Sequence, residues 1–482
     1  PMIKFSYDLN LGTTVGLGLA VIKFGEYSDS THIIGLTLTE GINGGVLCEP
    51  TDSVITKHNK VSHSIISNNL GGGGVYISRN TNLIIFDAII DNNTGCGGMF
   101  LFIDASAMVL NSTIRGNSGD TYTGGINLNY ADHIQIINTK IINNIAEGIR
   151  NLQSDITAEN LYVEGNGDVG IKNDWGNLSI NGGEISNNNG NGIQSSSTYA
   201  DGIIIYDSLI ISQNNGNGIE VNYSSNTILN NSLIYENMNH GLYSRVKQLS
   251  LDNNTIVNNG SSEIQLFSGS TDSAFVNIVN TIIFDDSSNN FIESVRPRGS
   301  DPDNYYGPHI ISMDYNSIWT GIESLNLWNN DILYWGSNNI NQHPLFCDLD
   351  NENYSIAANS PCVGSGENGS NIGALDIGCS EFSGPVITFI PDQIFNEDDS
   401  LIVSLSASSL IDNAMISFYA FSDTSAVLTT ISENDLLVTT QPNWNGSVMI
   451  TVVSIDQYDL SDTTTFLVTV NPVNDGPEIV LP

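Results

Sequence analysis

Acid–base chemistry on a polysaccharide needs either two carboxylates facing one bond or a base beside cations that neutralise an acidic sugar. Few groupings of that kind occur in this chain. Asp285-Asp286 is the one adjacent aspartate pair in its repetitive region. Asn239-His240-Gly241 sets a histidine between small residues, and Arg245-Val246-Lys247 spaces two cations by one residue. Arg296 and Arg298 stand beside Asp301 and Asp303 in a stretch broken by Pro297, Gly299 and Pro302. The other basic residues are scattered singly among 482 positions, with 13 Lys and Arg in all. A cluster that both abstracts a proton and binds a sugar carboxylate is not visible, and a catalytic role is not expected.

The elements that must hold these residues are set by an internal repeat. Asn69, Asn93, Asn117, Asn144, Asn166, Asn188, Asn214, Asn237 and Asn259 recur at one repeat position, 22 to 27 residues apart. A glycine and an aliphatic residue follow the first eight, as in Gly98-Met99, Gly148-Ile149 and Gly192-Ile193. Self-similarity at such a period decides the fold before any local motif does. Each unit holds short β-type runs, such as Ser64-Ile65-Ile66, and no helical periodicity. Strands this short bury an apolar face only when copies stack. The fold class is therefore all-β, a right-handed parallel β-helix. Stacking puts Ile66, Ile90, Ile114, Ile141, Val163, Ile185, Ile211, Ile234 and Ile256 into one dry interior column. The asparagines are expected at turns, where their side chains tolerate left-handed φ and can bond the amide of the next coil. The glycines are expected to permit tight corners. Near residue 285 the ladder changes, because Asp285 stands where asparagine is due. An irregular loop is expected over about 287–308.

Composition narrows the partners. Asp and Glu outnumber Lys and Arg by 52 to 13, giving a net charge of −39 although only 13% of residues are charged. That balance excludes the basic patch needed for nucleic acid or an anionic membrane. It suits a salty or calcium-containing medium, where screening and bound cations relieve self-repulsion. No apolar run approaches the ~18 residues of a membrane span. The chain opens at Pro1 without a signal peptide, so a mature or trimmed piece of a secreted protein is expected. Of five cysteines, Cys347, Cys362 and Cys379 cluster late in the chain. No Cys-x-x-Cys spacing points to zinc. One disulfide among these three is expected, with all three pairings open.

Two stretches carry resemblances. Ala20-Val21-Ile22-Lys23-Phe24 and Ile34-Gly35-Leu36-Thr37-Leu38-Thr39-Glu40-Gly41 stand near the start. His343-Pro344-Leu345-Phe346-Cys347-Asp348, Asn359-Ser360-Pro361-Cys362-Val363-Gly364 and Asn371-Ile372-Gly373-Ala374-Leu375 stand near the close. On these, residues from about 20 to 382 resemble secreted bacterial right-handed parallel β-helix repeat surface proteins. The β-helix is assigned to 1–383, with a closing segment over about 339–382. Beyond it, alternating runs such as Val448-Met449-Ile450-Thr451-Val452-Val453 are the mark of an antiparallel sandwich. Pro442-Asn443-Trp444-Asn445-Gly446-Ser447 and Val473-Asn474-Asp475-Gly476-Pro477 resemble the cadherin-like repeats of bacterial surface proteins. A C-terminal immunoglobulin/cadherin-like β-sandwich is thus expected over 384–476, with 477–482 starting a further repeat. That resemblance implies calcium at a module joint, held by Glu397, Asp456, Asn474 and Asp475. Gln457-Tyr458-Asp459 replaces the glycine usual after the Asp456 position.

Parallel β-helices also carry polysaccharide hydrolases and lyases. Pectinase-like members pair their aspartates with a glycine-histidine-glycine run and an Arg-x-Lys run, which this chain matches only loosely. The expected function is a secreted, cell-surface structural or adhesive protein: a rigid rod or display platform on a stalk. Its expected partners are further copies of itself, joined end to end as in a filament, or a surface polysaccharide. The competing expectation is an extracellular polysaccharide-active enzyme or a carbohydrate-binding β-helix.

Overall fold

The computed structural model describes residues 21–24, 30–48, 56–119, 123–196, 203–223, 226–268, 272–285, 291–296, 307–409 and 415–474. Among these, the repeats wind into a parallel β-solenoid. Each coil gives one strand to a 13-stranded sheet and one or two strands to a 22-stranded sheet. Every strand pairing within these two sheets is parallel, and each strand pairs with its counterpart one coil on. Met99–Phe102, for example, lies between Val75–Ser78 and Thr123–Asn129. The strands are short and β-branched, and burial alternates along them, as in Ile171–Asp174. Alternate side chains therefore fill the bore, in line with the twofold pleat of a strand. Ile149, Ile171, Ile193, Ile219, Leu242, Ile264 and Ile292 stack from one coil to the next and are all buried. The column from Ile66 to Ile256 is likewise fully buried at all nine positions. Within the span read as an irregular loop, Ile292–Val295 is a strand paired with Ile264–Phe267.

The asparagine ladder is interior and continuous. The Nδ2 of Asn188 donates to the Oδ1 of Asn214 at 2.9 Å and to the carbonyl of Val163 at 3.0 Å, one coil forward and one coil back. Its backbone N–H donates to the same Oδ1 of Asn214 at 3.1 Å. Its own Oδ1 accepts the N–H and the Nδ2 of Asn166. The same pattern runs from Asn69 to Asn259. Each buried amide thereby satisfies polar groups on three coils, which is what burial of a polar group demands.

Two expectations about these corners are corrected. Left-handed φ belongs to the residue before each ladder asparagine: Asn68 (54°), Asn92 (52°), Asn143 (53°), Asn187 (56°), Asn258 (53°). The chain reverses one residue early, and the following asparagine then points inward. The repeat glycines are not at positive φ either. At Gly148 an added Cβ meets the carbonyl oxygen of Gly170 at 2.6 Å, the Cγ1 of Val163 at 2.8 Å and the Nδ2 of Asn166 at 2.9 Å. Glycine is required there by close packing against the ladder. The ladder ends at Asn259, whose N–H and Nδ2 donate to the carboxyl oxygens of Glu263 at 3.0 and 2.5 Å. Glu263, from the same coil, takes the place of the next asparagine. A second interior ladder, not foreseen, links Ser232, Asn254, Thr281, Asn316 and Asn339 through backbone N–H donors to side-chain oxygens.

The chain divides into two compact units. The described residues to Pro344, with Pro361–Asp376, form the first. Leu345–Ser360 and the described residues from Ile377 onward form the second. In the second unit Phe346–Asp348, Asn353–Ala357 and Ile377–Cys379 make a small sheet. One four-stranded sheet joins Gln393–Asn396, Ser461–Asn471, Gly446–Ile455 and Ser417–Ser422. A three-stranded sheet joins Leu401–Ser404, Asp435–Thr440 and Val427–Ser432. Leu436, Val438, Ile450, Val452, Phe466 and Val468 lie in one core shared by these two sheets.

Candidate functional site

The described residues among those nominated for acid–base chemistry each pair with other neighbours. Asp285 is 3% exposed, and Asp286 lies outside the described residues. Arg296 is buried beside Asp331 at 3.5 Å, with its guanidinium 5.3 Å from the ring centre of Trp328. His309 Nδ1 lies 3.2 Å from the same Asp331 oxygen. Burial pushes the Asp331 carboxyl up, but hydrogen bonds from His309 and Ser294 outweigh it and hold it down at about 2. This buried cluster ties adjacent coils together. Arg298, Asp301 and Asp303 lie outside the described residues. His240 bonds the hydroxyl of Ser262 through Nδ1 at 2.8 Å, and burial lowers its basicity. Arg245 packs against Tyr223 and Phe267, while Lys247 pairs with Asp272 at 3.3 Å. The two cations of that run thus serve different neighbours.

The three described residues among those assigned to calcium divide between two ends of the C-terminal sheet. Glu397 is buried, and its carboxylate accepts the N–H of Val473 at 2.6 Å and the Nδ2 of Asn445 at 3.3 Å. Asn474 is therefore close along the chain to Glu397's partner. Asp456 instead closes the hairpin at the far end, where its Oδ1 accepts the N–H groups of Tyr458 and Leu460. The 11-residue strand Ser461–Asn471 separates the two ends. Asp475 lies outside the described residues. Among the described residues no three His, Cys, Asp or Glu side chains gather as a metal-ion set. Of the three late cysteines, Cys347 and Cys379 form a disulfide with Cα atoms 5.8 Å apart, and Cys362 is buried outside it.

An open cleft of about 860 Å³ occurs elsewhere, on a solenoid corner. Phe102, Ile103, Asp104, Asn129, Tyr130, Ala131, Asp132, Gln153, Asp155 and Trp175 line it. Strand register explains why they converge. Phe102, Asn129, Leu152 and Asp174 are paired in successive coils, so the residues after them form one row: Ile103, Tyr130, Gln153, Trp175. All four have positive φ, at 37°, 54°, 57° and 69°. Left-handed backbone is a strained choice for isoleucine and uncommon for any bulky residue, and strain of this kind gathers at functional sites. Asp132 accepts from the hydroxyl of Ser106 at 3.3 Å, and Asp155 from the Nδ2 of Asn177 at 3.0 Å. The lining holds three carboxylates and no Lys or Arg. The sequence did carry a signal for this row. Each member stands five places after a repeat glycine: Gly98, Gly125, Gly148 and Gly170.

No protein-family profile and no curated protein matches the chain. Among the solved structures similar to it are three at 12% identity each. The A-module of the Azotobacter vinelandii mannuronan C-5 epimerase AlgE4 gives a TM-score of 0.31, covering 68% of this chain and 83% of its own. The A-module of AlgE6 from the same organism gives 0.34, covering 65% and 87%. The Dettilon tailspike protein gives 0.37, covering 83% and 72%. At this level of similarity they carry no statement about what this chain binds or does, and the β-solenoid rests on its own strand register.

Proposed function

We propose that this chain is an extracellular cell-surface protein with a structural and adhesive role, its solenoid serving as a rigid platform that holds a surface polysaccharide. The observation that carries this reading is the unbroken interior ladder. A column of buried amides bonded on both sides fixes each coil to its neighbours, so side chains on the outer corners are held at constant spacing. Such spacing suits a polymer ligand with its own repeat. In the same reading the C-terminal unit is a cadherin-like sandwich that forms one link of a stalk. The excess of carboxylates keeps it soluble in a saline medium, where charge is screened. Beads coated with the chain test the reading under flow. They are expected to be retained on a surface bearing extracellular polysaccharide and released when that polysaccharide is digested. Equal retention before and after digestion, by chain shown to be folded, overturns it.

A further inference from the structure

The aromatic row continues past the cleft. Asp174 pairs with Ser196, and Ser196 with Asn222, so Tyr223 stands in the row of Tyr130 and Trp175. It shares their positive φ, at 59°. Tyr130, Trp175 and Tyr223 are 49%, 40% and 54% exposed, and each is two coils from the next. Coils rise by about 4.8 Å, so successive rings lie about 10 Å apart along the axis. Gln153 occupies the coil between the first two. Beside the rings run Asp104, Asp132 and Asp155, and the guanidinium of Arg245 packs 4.1 Å from the centre of Tyr223.

We infer that this row is a binding track for an uncharged, extended polysaccharide lying along the solenoid axis. The inference rests on the reading of a polysaccharide partner and names its chemical class. A sugar ring has an apolar face of axial C–H groups, which stacks on an exposed aromatic ring, and a rim of hydroxyls, which donates to carboxylates. Aromatics that are wet on one side and packed on the other supply that contact. One sugar unit is about as long as one coil is high. An aromatic on every second coil therefore meets every second sugar. In a flat chain whose successive units alternate by a half-turn, every second sugar presents the same face. A helically wound glycan does not keep that phase. Around Tyr130 and Trp175 the cleft lining has three carboxylates and no lysine or arginine. That disfavours a uronate polymer along this stretch, because like charges repel where water is partly excluded. The Arg245 cation lies beyond it, packed on the Tyr223 ring.

Affinity electrophoresis of the full chain tests this, with hydroxyethyl cellulose and glucomannan as flat uncharged probes. Laminarin serves as a wound uncharged probe and alginate as an acidic one. Retardation by the flat probes is expected, with little by laminarin or alginate. Among soluble oligosaccharides, one of about five units reaches all three rings and should bind far better than a disaccharide. Tyr130→Ala and Trp175→Ala should each weaken binding by about tenfold, as loss of a stacking anchor does. Both variants sit on an outer corner, and a thermal melt checks that they fold. Trp175→Phe, which keeps a flat ring, should restore most of the affinity. Folded chain that ignores both flat probes, or a double variant retarded like the parent, overturns the track. Alginate retarding as strongly as glucomannan overturns the assigned class. Bead retention on native polysaccharide is read separately. If it persists while the flat probes fail, only the present inference falls.

Discussion

At the scale of single residues, neighbouring asparagines do opposite jobs. Asn187 supplies left-handed φ at 56°, and Asn188 supplies the interior amide. Asn187→Gly is expected to be nearly neutral, because glycine adopts that φ without a steric cost. Asn188→Leu removes the acceptor of the N–H of Asn166 and of one Nδ2 hydrogen of Asn166, whose other Nδ2 bond, to Ile141, remains. It also removes the donor to the carbonyl of Val163, and should cost about 1–3 kcal/mol. Denaturant midpoints for the two variants check this, and equal losses would show that the two roles are misassigned. The ladder's last partner adds a pH dependence. Burial holds the Glu263 carboxyl well above its ordinary 4.5; hydrogen bonds from Asn259 oppose the rise and the nearby Asp285 adds to it. The folded chain thus keeps a proton that the unfolded chain gives up. The stability linked to this group is full below about pH 4.5, and it is lost as pH rises through the folded value. Glu263→Gln cannot titrate. The difference in melting temperature between parent and variant should therefore shift against the parent as pH rises from about 4 to about 8. Parallel curves would remove the buried carboxylic acid from the account.

At the scale of elements, the parts legible in the sequence were those written as a period. The isoleucine column and the ladder asparagines recur in type, so their stacking could be read directly. Which residue of the corner takes the left-handed φ could not, because Asn187 and Asn188 look alike and only the corner's backbone tells them apart. The aromatic row was missed for a different reason. Its members, Ile103, Tyr130, Gln153, Trp175 and Tyr223, share a register position but no single residue type. Acid–base candidates such as Asp285 and Arg296 were nominated by type, and their burial depends on contacts that no local motif encodes. Cysteine pairing is of the same kind: proximity to Cys379 is set by the pairing of Asn353–Ala357 with both Phe346–Asp348 and Ile377–Cys379. The Cys347–Cys379 bond closes a loop with a sequence separation of 32. A loop of that size is worth about 3–4 kcal/mol in chain entropy. Reduction, or Cys347→Ser, should raise amide exchange across those three strands and leave the central coils at Ile149 and Ile171 protected. Exchange that rises equally in both places would mean the small sheet does not open on its own.

At the scale of the whole molecule, a net charge of −39 makes compact folding work against self-repulsion. Monovalent salt should therefore raise the melting temperature, with most of the gain reached once the Debye length falls to about 8 Å. Calcium asks a more specific question. Hard oxygen ligands crowded at one end of a sandwich repel one another, and a divalent ion there would relieve the repulsion and stiffen the joint to a following repeat. We propose Glu397, Asn474 and Asp475 for that role. Asp456 falls away from the set, because it closes the opposite hairpin and its Oδ1 already accepts two backbone N–H groups. Glu397 already accepts the Val473 N–H on Oε1 at 2.6 Å and the Asn445 amide on Oε2 at 3.3 Å, so an ion there would share its remaining lone pairs. Affinity in this chain should accordingly be weak, and stronger in a chain extended by one repeat that brings further oxygens. Calorimetric titration of both chains, with Glu397→Gln and Asp456→Asn variants of the longer one, separates the possibilities. Glu397→Gln is expected to abolish the calcium heat, and Asp456→Asn to leave it within about twofold while lowering stability through the loosened turn. If Asp456→Asn abolishes binding and Glu397→Gln does not, the ion sits at the other end of the sheet and the joint is not calcium-braced.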